Sequence, residues 1–203
     1  FTPGNPDVPM DEDVPATFED GSTTKVIPGE GTYTVAPDGT VTFVPEKSFT
    51  GTGTGVTVKR VDKNGTPVTA KYTPTVTPVT PTAEPTTSTD IQGKTQTGTP
   101  TFTPGNPDVP MDEDVPATFE DGSTTKVIPG EGTYTVAPDG TVTFVPEKSF
   151  TGTGTGVTVK RVDKNGTPVT AKYTPTVIPV TPTAEPATSI GPKGKEQSGK
   201  PTF

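Results

Sequence analysis

The sequence contains no cysteine, no histidine, no tryptophan and no leucine. Without imidazole or thiol there is no Ser-His or Cys-His nucleophile pair, no Cys or His zinc site, no thiolate for an iron–sulfur or haem centre, and no disulfide. A metal could only be held by oxygen ligands. Arginine is scarce as well. Arg60 and Arg161 are the only two, and 16 basic against 24 acidic residues leave a net charge of −8. That sign argues against a nucleic-acid partner, whose phosphates demand Lys and Arg. No apolar run approaches a membrane span and no charged-then-apolar signal segment opens the chain. The chain begins at Phe1 rather than Met, so it reads as a fragment whose targeting and anchoring signals lie elsewhere.

Large apolar side chains are few. Val, Phe and Ile together make 38 of 203 residues, close to the composition at which charged chains stay disordered. Any core must therefore be small. Proline (27) and glycine (23) are abundant, and threonine is the commonest residue at 46. Thr is β-branched and the best helix formers are absent or scarce, which turns the expectation toward strands and turns.

The chain repeats itself with a period of 101 residues: residues 1–76 and 102–177 are identical, and aligning 1–102 on 102–203 leaves nine differences, all between 77 and 99. A period this long is a domain-sized unit, unlike the 20–50 residue repeats of solenoids.

Within one copy, alternation gives two registers. Gly31–Ala36 and Thr40–Pro45 flank Pro37-Asp38-Gly39, which fits a three-residue hairpin loop with Gly in the left-handed position. Tyr33 then faces Phe43 and Val35 faces Val41 on one side, with Thr34 and Thr42 on the other. For Val56–Asp62 and Thr66–Val76, a two-residue Asn64-Gly65 turn would scatter the apolar set. A three-residue loop, Lys63-Asn64-Gly65, sets Val56 opposite Tyr72, Val58 opposite Ala70 and Arg60 beside Val68, and is preferred because burial fixes register. Shorter strands are expected at Ala16–Glu19, Thr23–Ile27 and Lys94–Thr103, with Phe49 closing one end of the core. Many short strands between Gly, Pro and Asn turns predict an all-β fold, tandem Ig-like β-sandwich repeats with no significant helix.

Thr73–Thr89 has Pro at nearly every third or fourth place and is expected to be an extended, polyproline-like spacer. The chain divides accordingly into a first repeat domain at 1–82 that lacks its N-terminal strand, a Pro/Thr-rich linker at 83–90, a complete second domain at 91–183, and a linker with the start of a third repeat at 184–203.

Four blocks, each present twice in fixed order, carry a resemblance: PTFTPGNPDVP at Pro100–Pro110, GEGTYTVAPDGTVTFVP at Gly29–Pro45, SFTGTGTGVTV at Ser48–Val58 and DKNGTPVTAKYTPTV at Asp62–Val76. The chain resembles the CshA-type fibril repeats of cell-wall-anchored adhesins from streptococci and related Gram-positive bacteria. The resemblance implies a repetitive stalk that projects a separate adhesive region from the cell surface, anchored to the wall outside this fragment, with host or bacterial ligands bound outside it too. It implies no enzyme, no cofactor, and neighbouring repeats of the same chain as partners of a monomeric fragment.

Candidate chemistry is thin, and no catalytic, cofactor-binding or metal residue is assigned. Asp7 and Asp11-Glu12-Asp13 invite a calcium reading, but the EF-hand spacing is missing and Pro6, Pro9 and Pro15 stiffen a solvated loop. An intramolecular Lys–Asn isopeptide bond would draw on Lys25, Lys47, Lys59 or Lys71. Its bottleneck is Asn5 and Asn64, both in turns, whereas the reaction needs a buried pair beside a proton-shuttling carboxylate. Gly51–Thr57 is too short a threonine row for an ice-binding face. Glu19 and Glu30 are a formal carboxylate pair, which spacing alone cannot bring together across a sugar, and Asn64-Gly65-Thr66 is a formal glycosylation sequon. Two alternatives to the stalk stay open: repeats that bind a host glycoprotein weakly and gain avidity by number, against which each copy offers only Tyr33, Tyr72, Arg60 and a few Phe, with Tyr33 buried by the register above, and a disordered spacer.

Overall fold

The computed structural model describes all 203 residues, with 19 strands and no helix. Two compact units emerge: Phe1–Pro81 with Pro104–Asp112 and Val162–Pro168, and Thr82–Thr103 with Glu113–Arg161 and Val169–Phe203.

In the first unit the strands are β1 (Thr17–Phe18), β2 (Thr24–Ile27), β3 (Gly31–Val35), β4 (Val41–Pro45), β5 (Gly51–Thr52), β6 (Val56–Val61), β7 (Pro67–Tyr72) and β8 (Thr75–Val76). They form the sheets β2-β3-β4 and β1-β6-β7 and the pair β5-β8. Both expected registers are present: Tyr33 pairs with Phe43 and Val35 with Val41, and Val56 pairs with Tyr72, Val58 with Ala70 and Arg60 with Val68. The turns explain why. Gly39 and Gly65 take positive φ (93° and 79°), a conformation open to glycine at no steric cost. Asp38 and Asp62 accept hydrogen bonds from backbone N–H groups two residues on, Thr40 and Asn64, which fixes each loop. Alternation in β3 and β6 then aims Tyr33, Val35, Val56 and Val58 into one core with Ala16 and Phe18, flanked by the half-buried Ile27, Val41 and Phe43.

The second unit holds β9 (Thr82–Glu84), β10 (Thr86–Ile91), β11 (Gln96–Gly98), β12 (Thr101–Thr103), β13 (Thr118–Phe119), β14 (Thr125–Ile128), β15 (Gly132–Val136), β16 (Val142–Pro146), β17 (Gly152–Thr153), and most of β18 (Val157–Val162) and β19 (Pro168–Ile178). The sheet orders are β11-β16-β15-β14 and β10-β19-β18-β13, with β17 on β19 and a separate β9-β12 pair. Its core is larger and includes Val142, Phe144, Tyr173 and Val177.

Two expectations change. The stretch read as an extended, polyproline-like spacer, Thr73–Thr89, instead holds β8, β9 and the first part of β10, because β8 pairs with β5, β9 with β12, and β10 in parallel with Tyr173–Ile178 of β19. Its threonines satisfy the ladder where its prolines cannot. The expected strand Lys94–Thr103 is two strands, β11 and β12, which separate around Pro100, a residue with no N–H to donate. Residues 184–203 are exposed and carry one bridge, Glu185 with Thr202.

Candidate functional site

The most enclosed polar chemistry sits where β3 meets the Gly53–Gly55 turn. Glu30, the residue before β3, is 6% exposed, and Tyr33 is fully buried. The Tyr33 hydroxyl donates to Glu30 Oε1 and accepts the Gly55 N–H at 3.2 Å. Glu30 also accepts the Thr54 N–H and the Thr54 hydroxyl, each at 2.8 Å. Hydrogen bonding, led by Tyr33, holds the Glu30 carboxyl below its ordinary range. Burial first, and the Glu30 hydrogen bond second, push the Tyr33 phenol up to about 12. The knot repeats as Glu131, Tyr134, Thr155 and Gly156. Gly53 is needed for it: a Cβ there would lie 2.6 Å from the Tyr33 hydroxyl and 2.8 Å from Glu30 Oε1. The phenol is locked as a donor and the carboxylate is saturated by its neighbours, so the pair ties three segments together rather than moving protons.

A second polar joint gathers the acidic run. Lys63 Nζ bonds Asp11 Oδ1 at 2.8 Å and Asp13 Oδ2 at 3.2 Å, and the largely buried Arg60 reaches Glu12 at 3.1 Å. The Lys63 hydrogen bond holds the Asp11 carboxyl down, and the Asp11 bond raises Lys63. The run that invited calcium is engaged with cations of the chain itself. No group of three or more Asp or Glu residues converges for a metal. Arg161 lies 5.9 Å from the Phe102 ring centroid, near enough for a cation–π contact.

A third joint holds the leading strands onto the second body. Gln96, 4% exposed, donates to the Thr176 carbonyl at 2.9 Å and accepts from Ser88, whose hydroxyl also meets the Tyr173 hydroxyl at 2.6 Å.

The other sequence candidates stay apart. Asn5 and Asn64 are exposed, as are Lys25, Lys47 and Lys71, and Lys59 is half-buried. The Asn5 side-chain oxygen accepts the Asp7 N–H at 2.9 Å, a local turn. Glu19 is exposed while Glu30 is committed to the knot. Glu19 lines an open groove of about 330 Å³ with Asp20, Lys25, Thr57 and Lys71. The threonine row is broken, since strand β5 ends at Thr52 and β6 starts at Val56. Of the aromatic binding set, Tyr33 is buried and Tyr72 is 37% exposed. Sequence reasoning missed the knot. Its signal is the GEGTY block itself, where a charge stands immediately before an alternating apolar strand.

The chain matches the family described as the surface adhesin CshA repetitive domain over residues 1–76 and 78–177. An NMR structure of repeat domain 13 of the fibrillar adhesin CshA from Streptococcus gordonii is 69% identical over 35% of this chain and 91% of that domain, with a TM-score of 0.21. Mouse cadherin-23 EC22-24 is 18% identical over 82% of this chain and 53% of its own, TM-score 0.33. Drosophila N-cadherin EC1-3 is 14% identical over 87% and 57%, TM-score 0.37. No curated protein matches the chain.

Proposed function

This chain belongs to the CshA surface-adhesin repetitive-domain family, and we propose that it is a length of non-enzymatic stalk in a cell-wall-anchored fibril, carrying a separate adhesive region away from the cell. The repeat role and a place at the cell surface follow from the family; the stalk, the wall anchor and the domain boundaries 1–82 and 91–183 are our reading. The observation that carries it is the duplicated knot. Each copy commits its buried Glu and Tyr, with the exposed Thr beside them, to hydrogen bonds that tie separate segments together (Glu30, Tyr33, Thr54; Glu131, Tyr134, Thr155). Hydrogen-bonded strands resist extension, and an acidic surface keeps neighbouring stalks soluble and apart.

Stretching the chain between its ends in an optical trap tests this. Discrete unfolding and refolding steps are expected for stalk domains. Featureless extension would replace the reading with the disordered spacer, and saturable binding of a host glycoprotein to the isolated chain would replace it with the multivalent binder.

A further inference from the structure

We propose that each body carries a site for a carboxylate-bearing sugar residue of an acidic polysaccharide, in the groove that Lys25 and Lys71 share in the first body and Lys126 and Lys172 share in the second.

The two grooves are built from the same residues one repeat apart, measure about 330 Å³ each, and each lies wholly within one unit. Two sheets supply the lysines. Lys126 belongs to β14, the edge strand of its sheet, and pairs with Tyr134 of β15. Directly paired residues point to the same face, so Lys126 leaves its strand on the side of the buried Tyr134 ring and emerges into the groove. Lys172 comes from β19, and its stem is laid across a glycine. A Cβ on Gly156 would come within 3.1 Å of Lys172 Cε, as one on Gly55 would come within 3.2 Å of Lys71 Cε. The ion-paired cations of the chain are Arg60, Lys63, Arg161 and Lys164. Each groove therefore holds two ammonium groups that no carboxylate of the chain pairs.

An anion answers those lysines, and the rest of the lining narrows which anion. Glu120 and Asp121 stand in the same groove. Asp121 Oδ1 is spent on the Ser123 N–H and hydroxyl, which leaves Oδ2 open, and Glu120 is exposed. Ionised carboxylates only accept hydrogen bonds. These two therefore repel a bare polyanion and call for hydroxyl donors. The floor beside them is apolar, formed by Phe119 and Val157. A sugar ring bearing one carboxylate meets all of this: the carboxylate accepts from Lys126 and Lys172, the hydroxyls donate to Glu120 and Asp121, and the C–H face of the ring covers the floor. An amino-acid-like zwitterion would instead set a third ammonium beside two lysines, where like charges repel. The groove is open at the surface, so an internal residue of a polymer enters without its chain ending there. One site per repeat gives a long polysaccharide several weak holds. The site is independent of the stalk reading, and Tyr33, Tyr72 and Arg60 of the glycoprotein alternative take no part in it.

The test is a titration of the full chain with sodium glucuronate, followed by proton–nitrogen NMR. We expect saturable shifts of the Thr57, Thr158, Lys71 and Lys172 amides with a Kd of about 1–10 mM, the scale of a few weak contacts. Sodium acetate keeps the charge and loses the hydroxyls, and glucose does the reverse, so each should bind about tenfold more weakly or worse. Lys126→Met with Lys172→Met should weaken the second groove by about tenfold or more and leave the first, at Lys25 and Lys71, as a control within the same molecule. Both altered lysines are exposed, so the fold is spared. No shift at either groove, acetate, glucose or glycine binding as tightly as glucuronate, or second-groove binding that survives the paired Lys→Met change would each overturn the proposal.

Discussion

Tyr33 and Glu30 form one hydrogen-bonded unit in which a fully buried phenol serves as donor to a carboxylate and acceptor to the Gly55 N–H. A carboxylate enclosed without partners would be neutralised or would unfold its surroundings. Here the Tyr33 and Thr54 hydroxyls and the Thr54 amide take that load. In a chain with no leucine and few large apolar groups, such a knot supplies the definition that a thicker core would otherwise provide.

Removing the Tyr33 hydroxyl leaves Glu30 Oε1 with the Thr54 N–H alone and strands the Gly55 N–H that the hydroxyl accepted. Tyr33→Phe keeps the ring and its stacking on Phe43 at 4.4 Å between centroids, so the loss isolates the hydroxyl. A buried group left unsatisfied costs about 1–3 kcal/mol, and urea unfolding followed through the first body's signals should show a loss of that size.

The same pair sets two limits in pH. Glu30 has its pKa lowered by folding, so the unfolded chain takes up protons first: the contribution is present above the ordinary carboxyl range and lost as pH falls through the folded value. Tyr33 is raised to about 12, so the unfolded chain ionises first on the alkaline side. Its contribution is complete below about pH 10, the unperturbed phenol value, and disappears toward the folded one. Unfolding midpoints across pH should fall at both ends, and Tyr33→Phe should flatten the alkaline fall for its body.

Gly53 tests the geometry independently of charge. Gly53→Ala drives a methyl against the Tyr33 hydroxyl, Glu30 and Pro74. Gly4→Ala meets nothing within 4 Å and serves as the control. We expect a clear drop in melting temperature for the first and a change within about 0.5 kcal/mol for the second, the usual range at unconstrained surface sites.

Much of the first body was legible because period-2 alternation and Gly-containing three-residue loops act locally. Val56, Val58 and Tyr33 could face only one way once Gly39 and Gly65 fixed the turns. Ties between distant segments were not legible. Nothing near Asp11 announces Lys63, fifty-two residues on, and Glu30 looks like any surface carboxylate until Thr54 arrives beside it. The threonines and prolines at 83–90 read as a spacer because composition records what a segment resembles alone, while β10 exists through its pairing with Tyr173–Ile178.

The Lys63 joint should behave differently from the knot. Lys63 and Asp13 are exposed, and solvent-exposed pairs contribute little and are screened by salt. Lys63→Met should lower the melting temperature slightly at low ionic strength, with the difference closing near 1 M salt, where the screening length falls to about 3 Å. A difference that persists at high salt would show that the direct Nζ hydrogen bonds to Asp11 and Asp13, rather than screened charge attraction, carry the effect.

The two copies offer a comparison within one molecule, because 1–76 and 102–177 share every residue and only the second is covered by β10 and β11. Burying Tyr173, Phe144 and Val142 more fully than Tyr72, Phe43 and Val41 stabilises the second body: complete burial of a fully exposed large apolar side chain contributes about 1.5–3 kcal/mol, and these three, already partly covered in the first body, each contribute a share of that. Heating should therefore give two transitions, the first seen at Tyr72 and the second at Tyr173. Gln96→Ala removes the donor to the Thr176 carbonyl and the acceptor for Ser88. It should lower the upper transition alone, by several degrees per kcal/mol for a body of this size. If both transitions move together, the copies unfold as one cooperative block, and the seal made by β10 and β11 is not what separates them.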